Sequence, residues 1–79
     1  MMNLEIRTPD KTVFSGKVSL AQLPGVDGLF EVLENHAPLV AALQKGRIKI
    51  QDENDATQYF DINGGVAEVR KNNLLVLAE

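Results

Sequence analysis

Apolar residues in this chain recur with a period of two, and no segment sustains the 3.6-residue period of a helix. Arg47–Gln51 is the cleanest case, with Ile48 and Ile50 alternating with Arg47, Lys49 and Gln51, the pattern of a strand with one dry and one wet face. Leu4, Ile6 and then Thr8 alternate with Glu5 and Arg7, and Pro9-Asp10-Lys11 closes that strand with a turn. A second strand is expected from Thr12 to about Leu23. Val13 or Phe14, then Val18 and Leu20, supply its apolar face, and Gly16 marks a bulge or bend. Short strands separated by turn signals point to an all-β sandwich or barrel.

The remaining segments carry different signals. After the Pro24–Gly28 loop, Leu29–Leu33 reads as a short strand with Phe30 and Val32 on one face and Glu31 on the other. Local propensity favours a short helix over Asn35–Lys45: Asn35 suits an N-cap, Pro38 a first turn, Ala41, Ala42 and Leu43 an interior, and Gly46 a C-terminal cap. Asp52–Thr57 is expected to be a solvated, mobile hairpin tip. Gln58–Ile62 and Gly65–Arg70 read as two strands joined by a tight Asn63-Gly64 hairpin. Lys71-Asn72-Asn73 turns again, and Leu74–Ala78, apolar on both faces, is expected in the middle of the sandwich.

Length leaves room for one domain only: 79 residues bury roughly 60–65% of the surface of the unfolded chain, so stability is marginal without help. With no cysteine, disulfides and thiolate metal sites are excluded, and a partner protein is a natural substitute for the missing staples. The net charge of −3 comes with Lys and Arg scattered along the chain, whereas nucleic acid requires a concentrated basic face. The apolar runs are far shorter than the ~20 residues that span a bilayer, and no basic segment followed by an apolar stretch opens the chain. A soluble, cytoplasmic protein is expected, with attachment to a membrane complex through another subunit left open.

Chemistry-bearing residues are sparse. His36 is the only histidine; a strand puts Glu31 and Glu34 on opposite faces, so a metal site with them is poorly supported, and a corner residue bonded within its own loop is the stronger reading. Ser15 and Ser19 lie in no nucleophile elbow, and Gly25, Gly28, Gly64 and Gly65 form no phosphate-cradling pattern. More informative are Leu29, Phe30, Val32 and Leu33, whose apolar bulk exceeds what one buried face of a short strand can use. They make either a strand buried on both faces or an exposed contact patch, and the latter on so small a domain signals a protein interface. A free-standing ligand-binding sandwich is the alternative class, requiring a concave apolar pocket with convergent polar groups.

Taken in order, Leu4–Pro9, Val13–Val18, Pro24–Gly28, Asn35–Leu39, Gly46–Ile50, Gly64–Val69 and Asn73–Glu79 resemble the epsilon subunit of the F-type ATP synthase over nearly the whole chain. The resemblance implies an all-β, ten-stranded β-sandwich of two packed sheets, with the segment after His36 extended rather than helical. It implies a non-catalytic, cofactor-free rotor subunit of a proton- or sodium-translocating enzyme, peripheral on the cytoplasmic face of the inner (plasma) membrane. Such a subunit binds the gamma subunit and the ring of c subunits, without inserting into the membrane. By position, Val26, Asp27, Gly28, Leu29 and Phe30 match the loop that meets the c-ring. His36, Leu39, Val40, Ala41, Ala42 and Leu43 match the segment that faces gamma. Two departures affect loop shape: Glu31 stands where a glycine is common, and Glu34-Asn35 replaces the residue pattern usual before the histidine. The chain stops at Glu79, where most members continue into an inhibitory two-helix hairpin, so a naturally short or a shortened member without that inhibition is expected.

Overall fold

The computed structural model describes residues 1–79 and contains six strands: β1 (Met2–Arg7), β2 (Thr12–Gly25), β3 (Gly28–Leu33), β4 (Leu39–Asp52), β5 (Thr57–Arg70) and β6 (Asn73–Ala78). They form one sheet in the order β1-β6-β5-β4-β2-β3, and an additional β1–β2 pairing closes it into a barrel-like sandwich. β1 runs parallel to β6 and antiparallel to β2. The closure leaves β3 as the outlying strand beside the second half of β2.

Six strands stand where ten were expected, because β2, β4 and β5 are each 14 residues long and each serves both layers. The inward-facing parity shows how. In β2 the buried residues are Val18 and then Ala21 and Leu23; in β4 Leu43 and then Ile48 and Ile50; in β5 Ile62 and then Ala67 and Val69. Each long strand therefore exchanges its inward and outward sides once along its length. A strict period of two is interrupted there, which is why β5 reads as two separate strands; β2 was expected as one strand from Thr12 to about Leu23, and is one.

The exchange points are crowded. In β5 it falls at Asn63-Gly64-Gly65, so the expected hairpin is not formed; the chain continues straight through, with Gly64 and Gly65 at φ 142° and 149°. A Cβ on Gly65 would lie 2.2 Å from the Leu77 carbonyl oxygen, so no other residue fits without moving β6. In β4 the exchange passes Gly46, where a Cβ would lie 2.8 Å from the Pro24 side chain.

The expected helix over Asn35–Lys45 is also overturned. Asn35 takes a left-handed φ of 62°, and from Leu39 the chain is extended, with Leu39–Leu43 laddered against Gly65–Val69 of β5. Alanine and leucine favour a helix by only fractions of a kcal/mol per residue, less than a full strand pairing in a closed sheet supplies. The extended course implied by the resemblance is the one observed.

All six strands contribute to one core of sixteen buried apolar residues, with Phe14, Phe30, Leu39 and Phe60 packed against it. The Phe14 and Phe60 rings meet at 5.6 Å and a 60° tilt, a favoured aromatic geometry. No polar or charged side chain is buried. β6 lies between β5 and β1 as expected, but only Leu74, Val76 and Ala78 are buried, and Leu77 faces out.

Candidate functional site

With the interior wholly apolar, every group able to meet a partner lies on the outside. The β2–β3 hairpin projects at one end. Gly25 pairs with Gly28, so Val26 and Asp27 are the two residues of the turn. Along β3, Leu29, Glu31 and Leu33 face outward while Phe30 and Val32 face inward. Leu29 is 67% exposed, whereas the Phe30 ring packs over Gly25 and against the core. The apolar excess seen in the sequence thus divides between a dry face and an outward row, and Val26, Asp27 and Leu29 form the presented tip. Glu31 lies on that outward row, 3.4 Å from the Gln22 amide nitrogen.

The second candidate segment is split in the same way by strand alternation. Val40 and Ala42 point outward, with Val40 70% exposed; Leu43, only 5% exposed, is a core residue. Leu39 and Ala41 share its inward side and are partly covered. His36 is half-buried at the corner before β4. Its Nδ1 lies 2.7 Å from the Ala37 carbonyl oxygen and its backbone N–H donates to the Leu33 carbonyl at 3.1 Å. A carbonyl only accepts, so Nδ1 carries the hydrogen in that contact. No three His, Asp or Glu side chains converge to hold a metal ion.

The register extends the outward row of β4 beyond anything singled out in the sequence. Ala42 pairs with Val66, and Val66 with Leu77; Val40 pairs with Glu68, and Glu68 with Leu75. Val40, Val66 and Leu77 are all exposed, large and apolar, so an apolar band crosses three strands on the outside of the sandwich, with Glu68 set into it. Its signal in the sequence was present but divided. Leu75 and Leu77 read as a doubly buried strand, and Val66 lay beyond a hairpin that does not exist. At the hairpin end, the Val26 N–H donates to the Ala42 carbonyl at 3.0 Å, joining the tip directly to the band.

Comparison with known proteins decides the family. The model for the "ATP synthase, Delta/Epsilon chain, beta-sandwich domain" matches residues 1–79. The chain belongs to the ATP synthase delta/epsilon family. The ATP synthase epsilon chain of Chlorobium limicola is 42% identical over 76 residues, spanning 96% of this chain and 86% of that one. That of Caulobacter vibrioides is 40% identical over 78 residues, spanning 99% and 90%. The epsilon chain of Campylobacter curvus, 42% identical, is matched over only 60% of its length. Among solved structures, a chain of the Euglena gracilis mitochondrial ATP synthase OSCP/F1/c-ring assembly superposes with a TM-score of 0.86 at 20% identity, over 95% of this chain and 48% of that chain. A chain of the Tetrahymena thermophila mitochondrial ATP synthase central stalk/c-ring gives 0.80, also at 20% identity, over 98% and 62%. At that identity the likeness concerns the fold alone. No helix in this epsilon-family domain is long and apolar enough to cross a membrane.

Proposed function

We propose that this domain is a non-catalytic central-stalk subunit that couples rotation of the c-ring to the catalytic head through the gamma subunit. In this reading it sits on the cytoplasmic face of the membrane that holds the enzyme, peripheral and without a cofactor. The hairpin tip, chiefly Val26, Asp27, Gly28 and Leu29 with Phe30 bracing it from below, meets the c-ring. His36, Val40 and Ala42 lie on the gamma side, with Leu39, Ala41 and Leu43 supporting them from within.

The observation that carries the reading is the exposed apolar band of Val40, Ala42, Val66 and Leu77 on a domain of 79 residues. A contiguous apolar surface on so small a body marks a protein contact. The mechanical requirement of a coupling element is a short rigid path between two partners. The backbone bond from Val26 to Ala42 is such a path, and every strand on it belongs to the closed sheet.

Calorimetric titration of the domain with the gamma subunit of the same synthase tests the proposal. A 1:1 complex with a negative heat-capacity change is expected, the mark of apolar burial. Val40→Asp should weaken that complex by at least about 30-fold, the scale of an interface hot spot. Leu29→Asp should leave gamma binding unchanged and impair assembly with the c-ring. A folded domain that ignores gamma, or a Val40→Asp variant that binds normally, defeats this assignment.

A further inference from the structure

Two of the four non-glycine residues with left-handed backbone, Asn35 and Asn72, come from separate turns and meet through one hydrogen bond. Asn35 lies between β3 and β4, immediately before His36, and Asn72 lies in the turn between β5 and β6. The Asn35 N–H donates to Asn72 Oδ1 at 2.9 Å. The other end of the same amide is also used: Asn72 Nδ2 donates to the Met1 carbonyl at 2.8 Å. The Asn72 backbone carbonyl accepts the Asn3 N–H at 3.1 Å. One side chain and its own backbone thus tie together the start of β1, the β5–β6 turn and the corner that carries His36.

We propose that Asn72 is the positioning residue of the His36 corner, holding it in the orientation from which it meets the gamma subunit; the partner in this statement rests on the function proposed above. The other contacts of the corner are local or solvent-exposed. His36 Nδ1 bonds only to its neighbour Ala37, Ala37 and Pro38 are exposed, and the strand ladder begins only at Leu39. The remaining corner contacts are the bond from the His36 N–H to the Leu33 carbonyl, which closes the turn locally, and the ion pair of Glu34 with the Met1 ammonium, which is solvent-exposed and anchored only to the chain end; neither orients the corner on the sandwich. The Asn35–Asn72 bond does, because β5 and β6 on either side of Asn72 are laddered together up to Arg70 and Asn73. Asparagine suits the position for two separable reasons. It tolerates the left-handed backbone, and its amide presents an acceptor and donors on opposite sides.

The two reasons give the test. Asn72→Gly keeps the left-handed backbone free of strain and removes both side-chain bonds; Asn72→Asp keeps the acceptor for Asn35 and loses the donor to Met1. Amide hydrogen exchange and gamma binding are measured on both. In Asn72→Gly, exchange at Asn35 and His36 should accelerate by about tenfold, with β4 and β6 protected as before and gamma affinity reduced by about fivefold, the scale of one hydrogen bond. Asn72→Asp should restore protection at Asn35 and the affinity with it, while Asn3, whose N–H donates to the Asn72 backbone carbonyl, stays protected in both variants. The proposal is overturned if Asn35 exchange is unchanged in Asn72→Gly, or if protection falls equally throughout the sheet. It is overturned too if the corner loosens and gamma still binds as before. In that last case Val40→Asp separates the two ideas: if it abolishes binding, the gamma surface stands and only the role of Asn72 falls. If Val40→Asp binds normally as well, the surface itself was misassigned.

Discussion

The same two strands present two outer surfaces of opposite character. In the second half of β4 and the first half of β5 the outward residues are charged or polar: Arg47 and Asp61 form an ion pair at 3.2 Å, and the Arg47 guanidinium lies 5.4 Å from the centre of the Tyr59 ring. In the first half of β4 and the second half of β5 the outward residues include Val40, Ala42 and Val66, and Leu77 of β6 extends them. Strand pairing is continuous across both halves, so sheet propensity does not separate them. What separates them is how each surface is completed. The charged half satisfies its own groups with neighbours across the strands and needs only water; the apolar half is left for another molecule to cover.

The sharpest way to break this contrast is to remove the device that creates it. If the side exchange at Asn63-Gly64-Gly65 is what allows one strand to serve both layers, Gly65→Ala must fail, since its methyl would enter the Leu77 carbonyl on a backbone that L side chains avoid. A loss of about 3 to 5 kcal/mol is expected, or a fall in Tm of more than about 12 °C for a domain of this size. Thermal unfolding reads it directly. A variant melting within about 2 °C of the parent would mean that the strand exchanges sides by some other route.

A smaller and more selective effect is expected from matched substitutions on the two surfaces. Val66→Asp places a charge in the apolar band and Tyr59→Asp places one on the surface that is already charged. Neither side chain is core, so both variants should keep their stability to within about 1 kcal/mol. Val66→Asp should lower gamma affinity by roughly 30-fold or more, and Tyr59→Asp should leave it unchanged. Equal losses from both would dissolve the distinction between a finished and an unfinished face.

How much of this was legible in the sequence follows from the same strands. Arg47–Gln51 displays its alternation undisturbed, and the β3 row put Phe30 and Val32 on one face and Glu31 on the other, as found. The all-β class rests on such segments. Of the long strands, the first half of β4 was taken for a helix ending at Gly46, and β5 was cut in two because the side exchange at Asn63–Gly65 interrupts the alternation. A local reading sees Asn-Gly as a turn there, whereas the Leu77 carbonyl, which makes a glycine obligatory, is distant in sequence. The apolar band was hidden for a related reason. Val40, Val66 and Leu77 come from three strands, and only the register brings them side by side. Asn72 carried no signal beyond that of a turn residue, since its partners Asn35 and Met1 lie far away along the chain.

The smallest effect concerns the loop that closes the charged half. Asp52–Thr57 was expected to be loose, yet Asp52 organises it: Oδ1 accepts the N–H groups of Asn54 and Ala56 at 2.9 and 3.0 Å, and Oδ2 accepts from Gln58 Nε2 at 3.1 Å. These bonds favour the ionised carboxylate, chiefly the backbone bonds from Asn54 and then Ala56, and hold its pKa below the ordinary 3.8. A depressed carboxylate pKa stabilises the folded loop above the ordinary value, and the contribution is lost as pH falls through the folded pKa. The Asn54 and Ala56 amide resonances should therefore hold steady near neutral pH and move together as the pH falls, with a midpoint below 3.8. Asp52→Asn should flatten that titration while the apolar band and its binding remain untouched. If the midpoint lay at or above the ordinary value, the loop would not be held by its own carboxylate, and the charged half would be less complete a surface than its contrast with the apolar half requires.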